Sequence, residues 1–387
     1  MVCQQKKLEI GLLMSKNISI FDHVGNKAGM NYYSGSLAKG FVSQKHNCTV
    51  YSNFIGIDAD KINYRAYYKG HSQSNVLVKF FKFISATIRS SFDARKEKSD
   101  LVIIHLFSAN IITLLLATIP KLFGLKIAII SHDISSFINN DSSFIQNLIY
   151  NYFSDYIIVH NQFSYNELLQ HVTLKNPDKV TIIKHGGYLD HINFNADKDA
   201  IRKSLELEVN GKYMLFFGQI KDVKGLDILI KAMATVPKDI KLIIAGKPWK
   251  SDFNKYDLLI KKYKLEDRII KIIRFIEDDE REKLFFAADV NILPYRTIYQ
   301  SGVLLMAMSH GLPVIASNLP ANEEIIDDGV NGMLFESENS EALGKQITTF
   351  FQNDSLFISL SKKALQTIEA EYGWNKIAQS YLKLLDK

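Results

Sequence analysis

The chain has 387 residues, enough for two or three domains of ordinary size. Hydrophobic residues make up 47% and charged residues 23%, which excludes a disordered chain; 20 glycines and 7 prolines exclude a collagen-like one. The net charge of +6 comes from the first half, since residues 1–190 hold 20 Lys+Arg against 13 Asp+Glu and residues 191–387 hold 27 against 28. A basic first half implies an anionic partner there, such as a membrane surface, with ordinary solvated lysines as the plain alternative.

In chain order, apolar runs of strand length occur at Leu8 to Met14, Thr49 to Asn53, Leu101 to Leu106, Lys126 to Ser131, Tyr156 to His160 and Val180 to Lys184. A second series occupies Tyr213 to Phe217, Lys241 to Ala245, Ile269 to Arg274, Val290 to Pro294 and Pro313 to Ser317. Amphipathic stretches lie between them, at Gly35 to Gln44, Leu226 to Ala234, Asp279 to Ala287 and Gly302 to His310. Strands alternating with helices imply parallel α/β sheets with right-handed crossovers. The strands are too many for one compact sheet, and the polar stretch His185 to Asn210 is the natural linker. The expected architecture is therefore two Rossmann-like domains, residues 1–190 and 191–373, facing each other across a central cleft. Residues 374–387 form an amphipathic helix, with Ile377, Tyr381, Leu384 and Leu385 on one side, that crosses back to the first domain.

The candidate membrane span, Ile111 to Ile130, is broken by Pro120, Lys121, Gly124 and Lys126 and reads as helix, turn and strand. Cys3 and Cys48 cannot build a disulfide framework, and the apolar stretch near the N-terminus is short for a signal peptide. The expected location is cytoplasmic. Within Val76 to Lys98, Leu77, Phe81, Ile84 and Ile88 share a helical face, while Lys79, Lys82 and Arg89 lie on another side. This basic amphipathic helix is the candidate contact with an anionic membrane; packing against its own sheet is the alternative.

The dinucleotide and P-loop fingerprints and the G-x-S-x-G elbow are absent. No Cys/His spacing suggests zinc, and Asp58-Ala59-Asp60, which follows no buried strand, reads as a solvated loop. The segment Phe216 to Ala232 carries chemistry. A strand ends at Phe217, Gly218 permits close backbone approach, and Lys224-Gly225 opens a helix whose N-terminus favours phosphate. A second strand-to-helix junction follows Pro294. Ser301 is the expected N-cap, with Gly302, Val303 and Leu304 offering amides. Two helix starts and one lysine at strand ends describe a nucleoside-diphosphate pocket.

From Phe216 to Phe335 the chain resembles the donor-binding domain of family 4 retaining glycosyltransferases of the GT-B fold. The residues that carry this are F-x-G…K-G-x-D-x-L-I-x-A, L-I-I-A-G at Leu242 to Gly246, S-G-V, A-M-x-x-G-L-P-V-I-A-S, and E-x-x-x-D-G-x-N-G. Gly29 through Val50, His132 and His185-Gly186 fit the family's first domain. Where many members carry E-x7-E this chain has Ile298 and Met306, and it resembles the subgroup with Q-S-G-V, here Gln300 to Val303. Gln219 stands where an arginine is frequent.

The resemblance implies retaining, metal-independent transfer of a hexose from a nucleoside diphosphate sugar, with no cofactor. The acceptor would be a glycan or a polyprenyl-diphosphate-linked sugar in surface polysaccharide or glycolipid assembly, at the cytoplasmic face of the membrane. The implied donor-binding residues are Gly29, Gly218, Gln219, Lys224, Gly246, Gln300, Ser301, Gly302, Val303, Leu304 and Glu324. Lys224 would stabilise the leaving diphosphate and His132 would face the sugar or the acceptor. Glu324 is read equally well as a helix cap, His132 has a structural role as its rival, and His105 is expected to be structural. The alternatives are a non-catalytic glycosyltransferase-like subunit and another GT-B enzyme such as a nucleotide-sugar epimerase. Nothing of recognisable type suggests a nucleic-acid platform.

Overall fold

The computed structural model describes residues 15–25, 29–56, 62–69, 75–132, 143–250 and 252–386. The chain divides into two compact units. The first is Met1–His160, Tyr165–Lys184 and Trp374–Lys387; the second is Asn161–Ser164 and His185–Gly373. The change of unit at Lys184 falls six residues before the boundary expected at 190.

The first unit is built on β1 (Asn17–Phe21), β2 (Asn47–Tyr51), β3 (Asn63–Arg65), β4 (Leu101–Leu106), β5 (Ile127–Ser131), β6 (Tyr156–Val159) and β7 (Val180–Ile182). All pair in parallel, in the order β3-β2-β1-β4-β5-β6-β7. The connecting helices are α1 (Met30–Ser43), α2 (Val76–Lys96), α3 (Ile111–Leu122), α4 (Ser143–Tyr152) and α5 (Gln162–His171). Central strands β4 and β5 are buried at every position, as expected for strands covered on both faces.

The second unit begins with α6 (Lys198–Ser204), inside the stretch expected to be linker. It has β8 (Lys212–Phe217), α7 (Leu226–Ala232), β9 (Ile240–Ala245), α8 (Asn254–Lys262), β10 (Ile269–Ile272), α9 (Asp278–Ala287), β11 (Val290–Leu293), α10 (Gly302–Ser309), β12 (Val314–Ser317), α11 (Pro320–Glu323), β13 (Met333–Phe335), α12 (Ser340–Phe351) and α13 (Asp354–Glu371). The sheet is parallel in the order β10-β9-β8-β11-β12-β13. Residues of β8 alternate between two cores: Met214 and Phe216 face α7, while Tyr213 and Leu215 face the other side with α10 residues.

The strand expected at Leu8 to Met14 lies outside the described residues, and the first strand described, β1, is the run NISIF, which the sequence reading did not name. Asn17 and Ser19 interrupt its apolar pattern, yet pairing with β2 and β4 puts it at the sheet centre. Strands β3 and β13, three residues each at the sheet edges, are too short to show a period. The triplet Asp58-Ala59-Asp60 also lies outside the described residues.

The C-terminal helix α14 (Trp374–Leu382) packs on α1 within the first unit. Trp374, Ile377, Ala378 and Tyr381 are buried, and the Tyr156 hydroxyl donates to the Leu384 carbonyl at 2.6 Å. Gln44 Nε2 donates to the Asn375 carbonyl at 3.0 Å. The helices approach closely at Gly40, where a Cβ would lie 2.6 Å from the Trp374 carbonyl oxygen and 3.1 Å from the Ala378 Cβ. Gly40→Ala is therefore expected to destabilise the protein by about 1–3 kcal/mol through overpacking. Urea unfolding of wild type and variant measures it, and an unchanged midpoint contradicts the close approach.

Candidate functional site

In each sheet the strand order reverses once, between β1 and β4 and between β8 and β11. Ligands of open α/β sheets sit outside the carboxyl ends of the strands beside such a reversal. In the second unit the loops after β8 and β11 meet there. After β8, Gly218 donates its N–H to the Ala245 carbonyl at 2.9 Å, and Gly246 donates to Ile272 at 3.0 Å. A Cβ on Gly246 would lie 1.8 Å from the Gly218 carbonyl oxygen, so the two turns touch backbone to backbone. Gln219 is exposed.

Lys224 closes a single 3-10 turn, Asp222–Lys224, and Gly225 hands the chain to α7. Gly225 has φ 65°, and a Cβ there would lie 1.8 Å from the Pro294 carbonyl oxygen; a side chain at this position would push the turn away from the β11 loop. Arg296 holds the turn in place. Its N–H donates to the Val223 carbonyl at 2.8 Å, and its guanidinium donates to the Asp222 carbonyl at 2.7 Å. The same guanidinium grips Asp227 with two bonds of 2.9 and 2.8 Å. Burial opposes the Asp227 charge, but Arg296 holds its pKa below the usual carboxylate range. Lys224 Nζ lies 3.7 Å from the centre of the buried Tyr295 ring, on the same loop. Sequence reasoning singled out neither Tyr295 nor Arg296 and gave Asp227 only as the acid of the K-G-x-D run; their adjacency appears only with the strand order.

Ser301 is the N-cap of α10, and its Oγ accepts the Leu304 N–H at 3.2 Å. This corrects the expectation that Leu304 offers its amide to a ligand, because the cap already occupies it. Gly302 and Val303 remain at the head of the helix, where no preceding turn supplies a carbonyl. A Val303 methyl lies 3.6 Å from where a Gly218 Cβ would be, so the two junctions converge. The Tyr188 hydroxyl comes within 3.1 Å of a Cβ position on Gly302. Gln300 Oε1 accepts from Asn161 Nδ2 at 3.3 Å. Ile298 packs against the core and Met306 is buried in it, so the positions of the resemblance's glutamates are apolar and packed.

Glu324 bonds backbone groups far from it in the chain. Its carboxylate accepts the Gln162 and Phe163 N–H groups, each at 2.7 Å, and so caps α5. The helix it caps is α5 rather than the next one in the chain. Beyond Gly246, an open pocket of about 400 Å³ is lined by Lys247, Pro248, Phe253, Ile273, Arg274 and Phe275. It lies at the ends of β9 and β10 on the edge that carries Gly218 and Lys224.

In the first unit, Gly29 has φ 76° and precedes α1. His132 follows β5, and its Nε2 lies 2.9 Å from Nδ1 of the buried His105. Phe107 stacks on the His132 ring at 4.5 Å with 7° between planes, and Tyr33 meets both histidines edge-on. His105 is thus a hydrogen-bond partner of His132. His160, also near this ring, donates from Nδ1 to the Ile183 carbonyl, and burial pushes its pKa down to about 4.

Helix α2 departs from its expected packing. Its buried face is the small-residue row Ala86, Thr87, Ser90, Ser91 and Ala94. Leu77, Phe81, Ile88 and Phe92 are exposed, Phe81 to 66%, and Ile84 is half-buried. Lys79 and Lys82 are exposed, whereas the Arg89 guanidinium lies over the Tyr67 ring at 4.1 Å, so this cation is already engaged. No helix among the described residues is long and apolar enough to cross a membrane, and among them no group of three or more His, Cys, Asp or Glu could hold a metal ion.

Residues 197–371 match the family described as "Glycosyl transferases group 1". Spore coat protein SA of Bacillus subtilis is 25% identical over 197 residues, covering 47% of this chain and 51% of that protein. D-inositol 3-phosphate glycosyltransferase of Corynebacterium glutamicum is 23% identical over 223 residues, 55% of this chain and 53% of that protein. The chain spans about half the length of the curated relatives it matches. The crystal structure of Anabaena HepE in complex with UDP and glucose superposes with a TM-score of 0.75 at 19% identity, over 96% of this chain and 99% of that one. Sucrose-phosphate synthase from Thermosynechococcus elongatus gives 0.74 at 17% identity, over 95% and 98%. The fold is GT-B.

If Glu324 is a cap, Glu324→Gln is expected to cost about 1 kcal/mol, because an amide accepts only one of the two N–H groups. Thermal melts with and without UDP check this. A lower melting temperature with an unchanged UDP-induced shift supports the cap, and the reverse pattern returns Glu324 to the ligand.

Proposed function

We propose that this protein transfers a hexose from a nucleoside diphosphate sugar to an acceptor hydroxyl, with retention of anomeric configuration and without a resident metal. The observation that carries the reading is the meeting of Gly218, Lys224 and the N-terminus of α10 at the reversal point of the second sheet. A leaving diphosphate develops charge, and fixed donors aimed at that charge lower the barrier. Lys224 supplies a cation held on the Tyr295 face, and Gly302 and Val303 supply amides at the positive end of a helix. The group 1 domain match and the UDP bound in HepE support a nucleotide-sugar donor. The pocket at the β9 and β10 ends would take the base. Strands spaced ~4.8 Å apart leave about 14 Å from β10 to β11, along which base, ribose and diphosphate can lie in line.

His132 is proposed to face the transferred sugar or the acceptor, and Gly29 to let its loop approach the phosphates. A lipid-linked or glycan acceptor in surface polysaccharide or glycolipid assembly, reached at the cytoplasmic face of a membrane, fits the exposed stripe Leu77, Phe81, Ile88 and Phe92 beside Lys79 and Lys82. A second reading, a non-catalytic partner subunit, is favoured by the packed apolar residues at Ile298 and Met306.

A thermal-shift screen against UDP, GDP, ADP, TDP and CMP separates the two readings, because a ligand that binds only the folded state raises the melting temperature. A shift with one diphosphate series supports transfer; no shift with any moves the reading to the partner subunit. Lys224→Ala is expected to lower turnover roughly 10²–10³-fold with the fold intact, and wild-type rates remove Lys224 from the phosphate. EDTA is expected to leave turnover unchanged; its loss on chelation overturns the metal-free reading. Replacing Lys79 and Lys82 by Glu is expected to weaken cosedimentation with anionic vesicles, and unchanged binding removes α2 from the membrane.

A further inference from the structure

Lys224 stands between two carboxylates of its own segment, Asp222 two residues before it and Asp227 three residues after. Either could neutralise its ammonium, and neither does: among the described residues Lys224 forms no ion pair. Asp222 pairs with the Lys255 ammonium on α8. Asp227, in the first turn of α7, accepts two bonds from the Arg296 guanidinium, at 2.9 and 2.8 Å, and lies 3.5 Å from Lys231. What Lys224 meets instead is an aromatic face, with Nζ 3.7 Å from the centre of the Tyr295 ring.

The difference matters for an anion. An ammonium paired with a carboxylate must break that pair before it can serve a phosphate. A ring face attracts the cation and fixes its direction but brings no negative charge, so the ammonium keeps its full charge and its three N–H donors. The ring itself is held. Tyr295 is 1% exposed, and its carbonyl accepts the Ser317 hydroxyl at 2.7 Å. The Tyr295 hydroxyl is buried and has no hydrogen-bond partner among the described residues, so the part of this side chain with a polar partner is its face. Arg296 holds the opposite side of the contact, because its bonds to the Asp222 and Val223 carbonyls keep the Lys224 turn beside the loop that carries the ring.

We propose that Tyr295 and Arg296 are positioning residues for Lys224: the Tyr295 ring seats its ammonium without neutralising it, and Arg296 withholds Asp227, so that the charge stays available to the diphosphate of the donor. The role in binding rests on the nucleoside-diphosphate reading of this site; the seat does not.

Ring currents read the seat directly. In the lysine-labelled full chain, the Lys224 ε-methylene signal, identified by its loss in Lys224→Ala, is expected upfield in the wild type and in Tyr295→Phe, and at the ordinary lysine position in Tyr295→Leu. The wild-type signal decides the seat even if Tyr295→Leu does not fold. Binding is measured by calorimetry with whichever of UDP, GDP, ADP and TDP the wild type binds most tightly. Tyr295→Phe is expected to bind as the wild type does, since it loses only a hydroxyl without a partner. Tyr295→Leu is expected to bind roughly 3–30-fold more weakly. Arg296→Gln is expected to weaken binding, and Arg296→Gln/Asp227→Asn, which removes the released carboxylate, to restore it. An ordinary Lys224 signal in the wild type, or wild-type affinity in a folded Tyr295→Leu variant, overturns the seat. A loss in Arg296→Gln that Asp227→Asn does not repair overturns the withholding of Asp227. A wild type that binds none of the four diphosphates overturns the donor reading and the binding role with it, while an upfield Lys224 signal still supports the seat.

Discussion

The two-pronged contact between Arg296 and Asp227 joins loops that the chain separates by a long stretch of sequence. Parallel strands need crossovers, so the neighbours β8 and β11 are joined only through the intervening strands and helices. Their carboxyl-end loops have no covalent reason to stay together. Arg296 supplies a reason with two bonds to Asp227 and one to the Asp222 carbonyl, while its own N–H donates to Val223. The pair is partly exposed, and as an isolated ion pair it would add little stability. Its importance is geometric: it holds the Lys224 turn against the loop that carries Tyr295, whose ring lies 3.7 Å from Lys224 Nζ.

A comparable dependence runs through the first unit. Tyr33 touches His105 and His132, and it is itself held from behind by Trp374, with 5.0 Å between ring centres, and by the Tyr381 hydroxyl at 3.3 Å. Both supports belong to α14, the last helix of the chain. The approach of α14 to α1, which Gly40 permits, therefore reaches the histidine pair through one aromatic ring. Buried polar groups raise the stakes, because Asp22, Ser34 and His105 lie away from water and each must keep its partner.

Much of this was legible in the sequence, for a stated reason. Long apolar strands such as Leu101–Leu106 and Ile127–Ser131 announce themselves because both faces are covered. Ser301 was readable as a cap because capping depends on residues three apart. What could not be read involves distance along the chain. The Glu324 carboxylate fits a sugar or a helix equally well until α5 is seen beneath it. Asp22 and Ser34 belong to no motif and meet only because β1 lies inside the sheet beside α1, and β1 itself was hidden by Asn17 and Ser19 within a short run. On α2, helical period alone could not say which face is buried. Small residues took the inside, and the large apolar ones were left outside.

The apolar residues at Ile298 and Met306 sharpen the chemical question. A carboxylate at either place would be an acceptor for hydroxyls, and these side chains can accept nothing. They are packed, Met306 in the core and Ile298 against it. The polar groups on this edge include Lys224, the amides at the head of α10, Gln219 and Gln300. Such a set suits the negative diphosphate well and the neutral sugar poorly. On the proposed reading, discrimination among sugars must then come from groups outside that set.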